Sequence, residues 1–103
     1  MFFKFKGKNI EIHELDNVTD LSDVIDVREV AEFSNQSIEG TKNVPMGVLL
    51  SDHEQYMNKD KTYYILCQAG VRSVHAAKEL QKLGYDVVNV KGGIGKYHGQ
   101  FLK

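Results

Sequence analysis

The chain predicts an α/β domain with a central, mostly parallel sheet covered on both faces. Three observations predict it. Short apolar runs of strand-favouring residues recur at 22–27, 62–66 and 86–90. Segments with helical spacing fall between them, and the connections are short. No repeat, low-complexity tract or Pro/Gly-rich linker divides the 103 residues, so 1–103 reads as one domain.

Taken in order, "MFFKFKGKNI" reads as an edge strand, with Phe3 and Phe5 inward and Lys4 and Lys6 outward. "SDVIDV" suits a buried strand. "REVAEFSNQ" reads as a short helix, followed by a polar turn at Glu39 and Gly40. "KNVP" is a brief strand stopped by Pro45, the single proline, which has no N–H for a ladder. The spacing of Val48, Leu49 and Tyr56 makes "MGVLLSDHEQYMN" helical, and "TYYIL" is a strand apolar on both faces. Over residues 73–83 a stripe of Ala76, Ala77, Leu80 and Leu83 opposes Lys78, Glu79, Gln81 and Lys82, which predicts a helix. Gly84 is placed to end it in the left-handed conformation. "DVVNV" is the next strand, and "GGIG" turns toward a last short helix.

Composition removes several function classes. Apolar residues make up 42% and charged residues 26%, as in ordinary soluble proteins. A net charge of −1 and a pI near 6.4 argue against non-specific nucleic-acid binding. No apolar stretch reaches the roughly 18–20 residues of a membrane span, and the early Phe/Lys alternation argues against an export signal. One cysteine allows no internal disulfide and no Cys-x-x-Cys motif. His13, His53 and His98 lack metal-ligand spacing with one another or with Cys67, and read as surface residues. Gly92 and Gly93 follow no early-strand Gly-x-Gly-x-x-Gly pattern, so they read as a tight turn close to Cys67 and not as a nucleotide site. Glu29, Glu32, Glu39, Asp52 and Glu54 look scattered, with no carboxylate pair for a hydrolase. A reducing cytoplasm is the expected location.

The single cysteine lies in "YYILCQAGVRSVHAAKEL", at the end of a predicted strand and the mouth of a predicted helix. Sites in such sheets lie beyond the carboxyl ends of the strands. An isolated cysteine is usually a small buried hydrophobe. This position favours a reactive, exposed one. A loop entering a helix directs backbone N–H groups and a partial positive charge into its concavity. Gly70 lets the backbone turn, Arg72 supplies a cation with a fork of donors, and Ser73 is placed to cap the helix. Together they favour a thiolate at Cys67 and an anion beside it.

Four landmarks in order then resemble the rhodanese-like domains: "IDVREVAEF", "IEGTKNVP", "CQAGVRS" and "VKGGIGKY". The resemblance covers nearly the whole chain and implies a three-layer α/β domain. It implies Cys67 as nucleophile and carrier of sulfur in a persulfide, with Gln68, Ala69, Gly70, Val71 and Arg72 forming the substrate-binding cradle. No metal or organic cofactor is implied. The expected function is transfer of sulfane sulfur from thiosulfate, polysulfide or a persulfide to a thiol or other nucleophilic acceptor, small or protein. With no second thiol in the chain, that acceptor comes from outside. Two alternatives are a non-catalytic binding or regulatory module of the same fold, and a phosphatase or arsenate reductase. The related phosphatases have a loop one residue longer than the six from Cys67 to Arg72.

Departures from the family pattern are also present. Arg72 is the only cation in the loop, which predicts poor affinity for dianionic thiosulfate. Tyr97 stands where the family usually has Trp, and Ser37 and Glu39 replace a His and a Pro. Asp26 and Arg28 are expected to pair and fix the loops, and His75 to be an exposed helical residue.

Overall fold

The computed structural model describes residues 4–103 and places five strands in one sheet. They are Lys8–Glu11 (β1), Val24–Asp26 (β2), Lys42–Asn43 (β3), Thr62–Leu66 (β4) and Asp86–Lys91 (β5). The order is β1-β5-β4-β2-β3, and every neighbouring pair is parallel. Parallel strands need crossovers, and these place Val30–Asn35 (α1), Met46–Ser51 (α2), His53–Tyr56 (α3) and Val71–Lys82 (α4) between them. Residues 24–28 and 87–90 are buried without a break. That is why these strands read as continuous apolar runs and not as alternating ones.

The sheet separates two apolar clusters. On one face Ile25, Ile65 and Val87 pack with Leu49 of α2 and with Val74, Ala77 and Leu80 of α4. On the other, Val24, Leu66 and Val90 meet Ile12, Leu15, Ile94 and Tyr97. This second layer consists of 3₁₀ turns at Ile12–Asn17 and Ile94–Lys96, with the chain that follows each. Among the described residues no helix is long and apolar enough to cross a membrane.

The structure revises several predicted boundaries. The first strand begins at Lys8, although Phe5 is buried and Lys4 and Lys6 exposed as the alternation predicts. Asn9 Nδ2 donates to the carbonyls of Phe5 and Gly7, at 2.9 and 3.0 Å, so those groups are satisfied by a local turn instead of a ladder. Phe3 lies outside the described residues. The helix expected over 46–58 breaks at Asp52, whose φ of −136° is not helical, and becomes α2 and α3. α1 starts at Val30 and leaves Arg28 outside it.

α4 starts two residues before the predicted Ser73, and Leu83 is 40% exposed, so buried Val74 completes its apolar stripe. Gly84, at φ +98°, ends it as expected. Gly84 N donates to the Gln81 carbonyl at 3.0 Å and Tyr85 N to the Leu80 carbonyl at 3.1 Å, the paired bonds of a Schellman cap. Burial of β4 and β5 between two layers brings the loop after β4 and the turn after β5 together at the carboxyl edge.

Candidate active site

Cys67 directly follows β4, and its sulfur is met by backbone. Gly70, in the left-handed conformation at φ +97°, turns the chain back at the N-terminus of α4. Its N–H donates to Cys67 Sγ at 3.0 Å, and Ser73 N donates to the same sulfur at 3.3 Å. Donors aimed at one atom from a helix entrance favour negative charge there. The Ser73 hydroxyl does not cap α4 as predicted. It donates to the Gly70 carbonyl at 3.2 Å, while Gly70 occupies the cap position.

The exposed sulfur that the sequence predicts is also corrected. Cys67 is 1% exposed and belongs to the core cluster that contains Val74. Turning back over the end of β4, the loop covers the sulfur and leaves Gln68, Ala69 and Val71 as its exposed rim.

Two sets of contacts hold this loop. The Cys67 carbonyl accepts from Ile94 N at 2.9 Å, and the Gln68 carbonyl from Gly95 N at 3.0 Å. Gly93, at φ +68°, permits that approach. A Cβ there would overlap the Gln68 carbonyl and lie 2.6 Å from the Cys67 carbonyl oxygen. The tight turn expected at Gly92 and Gly93 thus lies against the loop.

From the other side, Arg28 NH1 donates to Gln68 Oε1 at 3.2 Å. Arg28 is itself paired with Asp26 through Nε to Oδ1 at 3.0 Å and NH2 to Oδ2 at 2.9 Å, and it also reaches the Gln36 carbonyl at 2.7 Å. Both members are buried, and Asn43 Nδ2 ties down their carbonyls. The expected ion pair is present and acts on the loop through Gln68.

Arg72, expected as an anion-binding cation beside the sulfur, is paired with a carboxylate. Its NH1 and NH2 donate to Glu32 Oε1 and Oε2 at 2.6 and 2.9 Å, a two-pronged pair with a residue of α1. Glu32 is therefore not one of a scattered set. It stands three residues after Glu29, and the two side chains close a reciprocal capping box at the start of α1. The Arg72 hydrogen bonds, followed by the bond from Glu29 N, hold the Glu32 carboxyl down at about 2. The same bond from Glu32 raises Arg72 above its ordinary value.

The remaining candidates take structural places. His75 is exposed, as expected, and so are His13 and His98. His53 is instead half-buried, with Nδ1 2.6 Å from the Tyr85 hydroxyl. Tyr97 is buried and its hydroxyl donates to Asp16 Oδ1 at 2.7 Å. Among the described residues no cluster of three or more His, Cys, Asp or Glu is arranged to hold a metal ion.

A profile of the rhodanese-like domain matches residues 11–100. The chain belongs to the rhodanese-like domain family. This rhodanese-like domain is 40% identical over 78 residues to the uncharacterized protein YqhL of Bacillus subtilis, spanning 75% of the chain and 61% of YqhL. It is 35% identical over 77 residues to "Putative sulfurtransferase YtwF" of the same organism, spanning 75% of the chain and 74% of YtwF. A solved rhodanese-like domain protein from Staphylococcus aureus superimposes with a TM-score of 0.81 at 33% identity, covering 93% of this chain and 96% of that one.

Two outcomes follow for the loop and its ion pair. Gly93→Ala, which drives a methyl into backbone, lowers stability in urea denaturation by about 2 kcal/mol or more. Gly47→Ala, where a Cβ meets nothing within 4 Å, leaves stability unchanged or raises it by up to about 1 kcal/mol. Because Glu32 is depressed, its contribution is fully present above the ordinary value of 4.5 and is lost as pH falls toward about 2. The stability difference between wild type and Glu32→Gln is therefore constant from pH 7 to 5 and narrows below that, as urea titrations across pH will show.

Proposed function

We propose that this domain is a sulfurtransferase in which Cys67 carries sulfane sulfur as a persulfide. The observation that carries the reading is the convergence of the Gly70 and Ser73 amides on Cys67 Sγ. Donors fixed in advance around a sulfur suit a reaction that keeps negative charge there throughout.

In this reading the Cys67 thiolate attacks the donor's outer sulfur. The donor's S–S bond breaks, and its electron pair leaves on sulfite when thiosulfate is the donor, or on a thiolate when a persulfide is. Cys67 then holds the second sulfur about 2 Å farther out, at ordinary S–S length. An external thiol or other nucleophile attacks that outer sulfur, and the electron pair of the Cys67 S–S bond returns to Cys67. Gln68, Ala69, Gly70, Val71 and Arg72 form the cradle. Gln68, Ala69 and Val71 form the exposed rim over the buried Sγ, where a donor would approach. Arg72, in the same reading, neutralises Glu32 beside the site.

Burial of Cys67 and the commitment of Arg72 to Glu32 favour a second reading, a binding module that does not turn over. Intact mass separates the two. After incubation with thiosulfate, polysulfide or glutathione persulfide, wild type gains one sulfur atom and Cys67→Ser gains none. Arg72→Ala stays folded and loads sulfur about ten-fold more slowly, because the Glu32 carboxylate is left uncompensated near the reacting anion. If wild type gains no sulfur from any donor, the module reading replaces this one.

A further inference from the structure

We infer that Glu32 is a specificity-determining residue that, by occupying both prongs of Arg72, turns the site away from dianionic sulfur donors and toward persulfides of low charge. The inference rests on the sulfur-carrying role of Cys67 set out above and asks which donors that role accepts.

The geometry of the pair is specific. Glu32 Oε1 accepts at once from Arg72 NH1 at 2.6 Å and from Glu29 N at 3.0 Å, while Oε2 takes Arg72 NH2 at 2.9 Å. The carboxylate is anchored to backbone at the first turn of α1, so it does not swing away when an anion approaches. Both partners are about one-third exposed, 33% for Arg72 and 35% for Glu32, so the pair lies at the surface where a donor arrives. Its two charges cancel there.

Nothing else in the loop replaces the lost cation. Gln68, Ala69, Gly70 and Val71 are uncharged, and the guanidinium of Arg28 is buried against Asp26 and turned to Gln68 Oε1. Within the loop, what stabilises an arriving anion is then the amide ring. That ring suits the single charge of a thiolate or persulfide, whereas thiosulfate brings two charges into the site, which leave it only with sulfite. A hydropersulfide, R–S–SH, meets no such mismatch. Cys67 thiolate attacks its outer sulfur, the S–S bond breaks, R–S⁻ leaves with the electron pair and takes up the proton as R–SH, and Cys67–S–S⁻ keeps the single charge in the ring. Charge is conserved at −1, and no dianion enters the site.

Glu32→Gln tests this, because Gln preserves the acceptor of the capping box while removing the charge. Sulfur loading of Cys67 is followed by intact mass with two donors, thiosulfate and the zwitterionic persulfide of cysteamine. The ratio of loading rates, thiosulfate over persulfide, rises about ten-fold in Glu32→Gln, with the gain in the apparent KM for thiosulfate, because Arg72 now attracts the dianion. A second measurement uses wild type alone. Its thiosulfate loading varies little with ionic strength, whereas that of Glu32→Gln falls as salt screens the freed guanidinium. An unchanged donor ratio, or a steep salt dependence in wild type, overturns the inference while leaving Cys67 as a carrier. Failure of wild type to load from either donor removes the carrier reading itself, and the inference with it.

Discussion

Gly70 N and Ser73 N meet at Cys67 Sγ because the chain reverses within four residues of β4, and the reversal is held from outside by groups far away in sequence. On one side the turn after β5 donates two backbone hydrogen bonds to the carbonyls of Cys67 and Gln68. On the other, Arg28 holds the Gln68 side chain. The loop is thus shaped by its neighbours as much as by its own residues. Its one side-chain cation is paired with Glu32 of α1, and the donors that reach the sulfur are backbone N–H groups.

The two ion pairs have different physical characters. Asp26 and Arg28 are buried, with exposures of 0% and 2%, and every polar atom of the pair that the structure brings near a partner is engaged. Such a pair adds little net stability over an apolar replacement, yet losing one partner strands a charge at a cost of about 3–5 kcal/mol. It fixes where β2 ends, where the chain after α1 lies and where Gln68 points. The Arg72–Glu32 pair is about one-third exposed and contributes less to the fold.

Much of this was legible in the sequence. β2, β4 and β5 stand out because burial on both faces demands unbroken apolar runs, and α4 because its stripe is regular and Gly84 closes it. The order of landmarks around Cys67 pointed to the family, and Gly93 was placed near the loop. Other features were not legible. Asn9 draws the carbonyls of Phe5 and Gly7 into a turn, which no period-two pattern reveals. Asp52 breaks a segment whose apolar spacing is continuous. The partner of Arg72 lies 40 residues earlier, and only the fold joins them. A signal for Glu32 did exist, since Glu29 and Glu32 have capping-box spacing at the start of a helix. The burial of Cys67 was hidden because it depends on how closely the loop packs over the strand end.

The amide ring is tested most directly by the backbone N–H resonances of wild type before and after exposure to a sulfane-sulfur donor, with Cys67→Ser as control. A sulfur added to the Sγ that the ring surrounds shifts the amides of Gly70 and Ser73 and their loop neighbours most strongly, and leaves β1 and the far end of α4 unmoved. A change spread evenly over the domain, or the same change in Cys67→Ser, would contradict the claim that these amides surround the sulfur that is loaded.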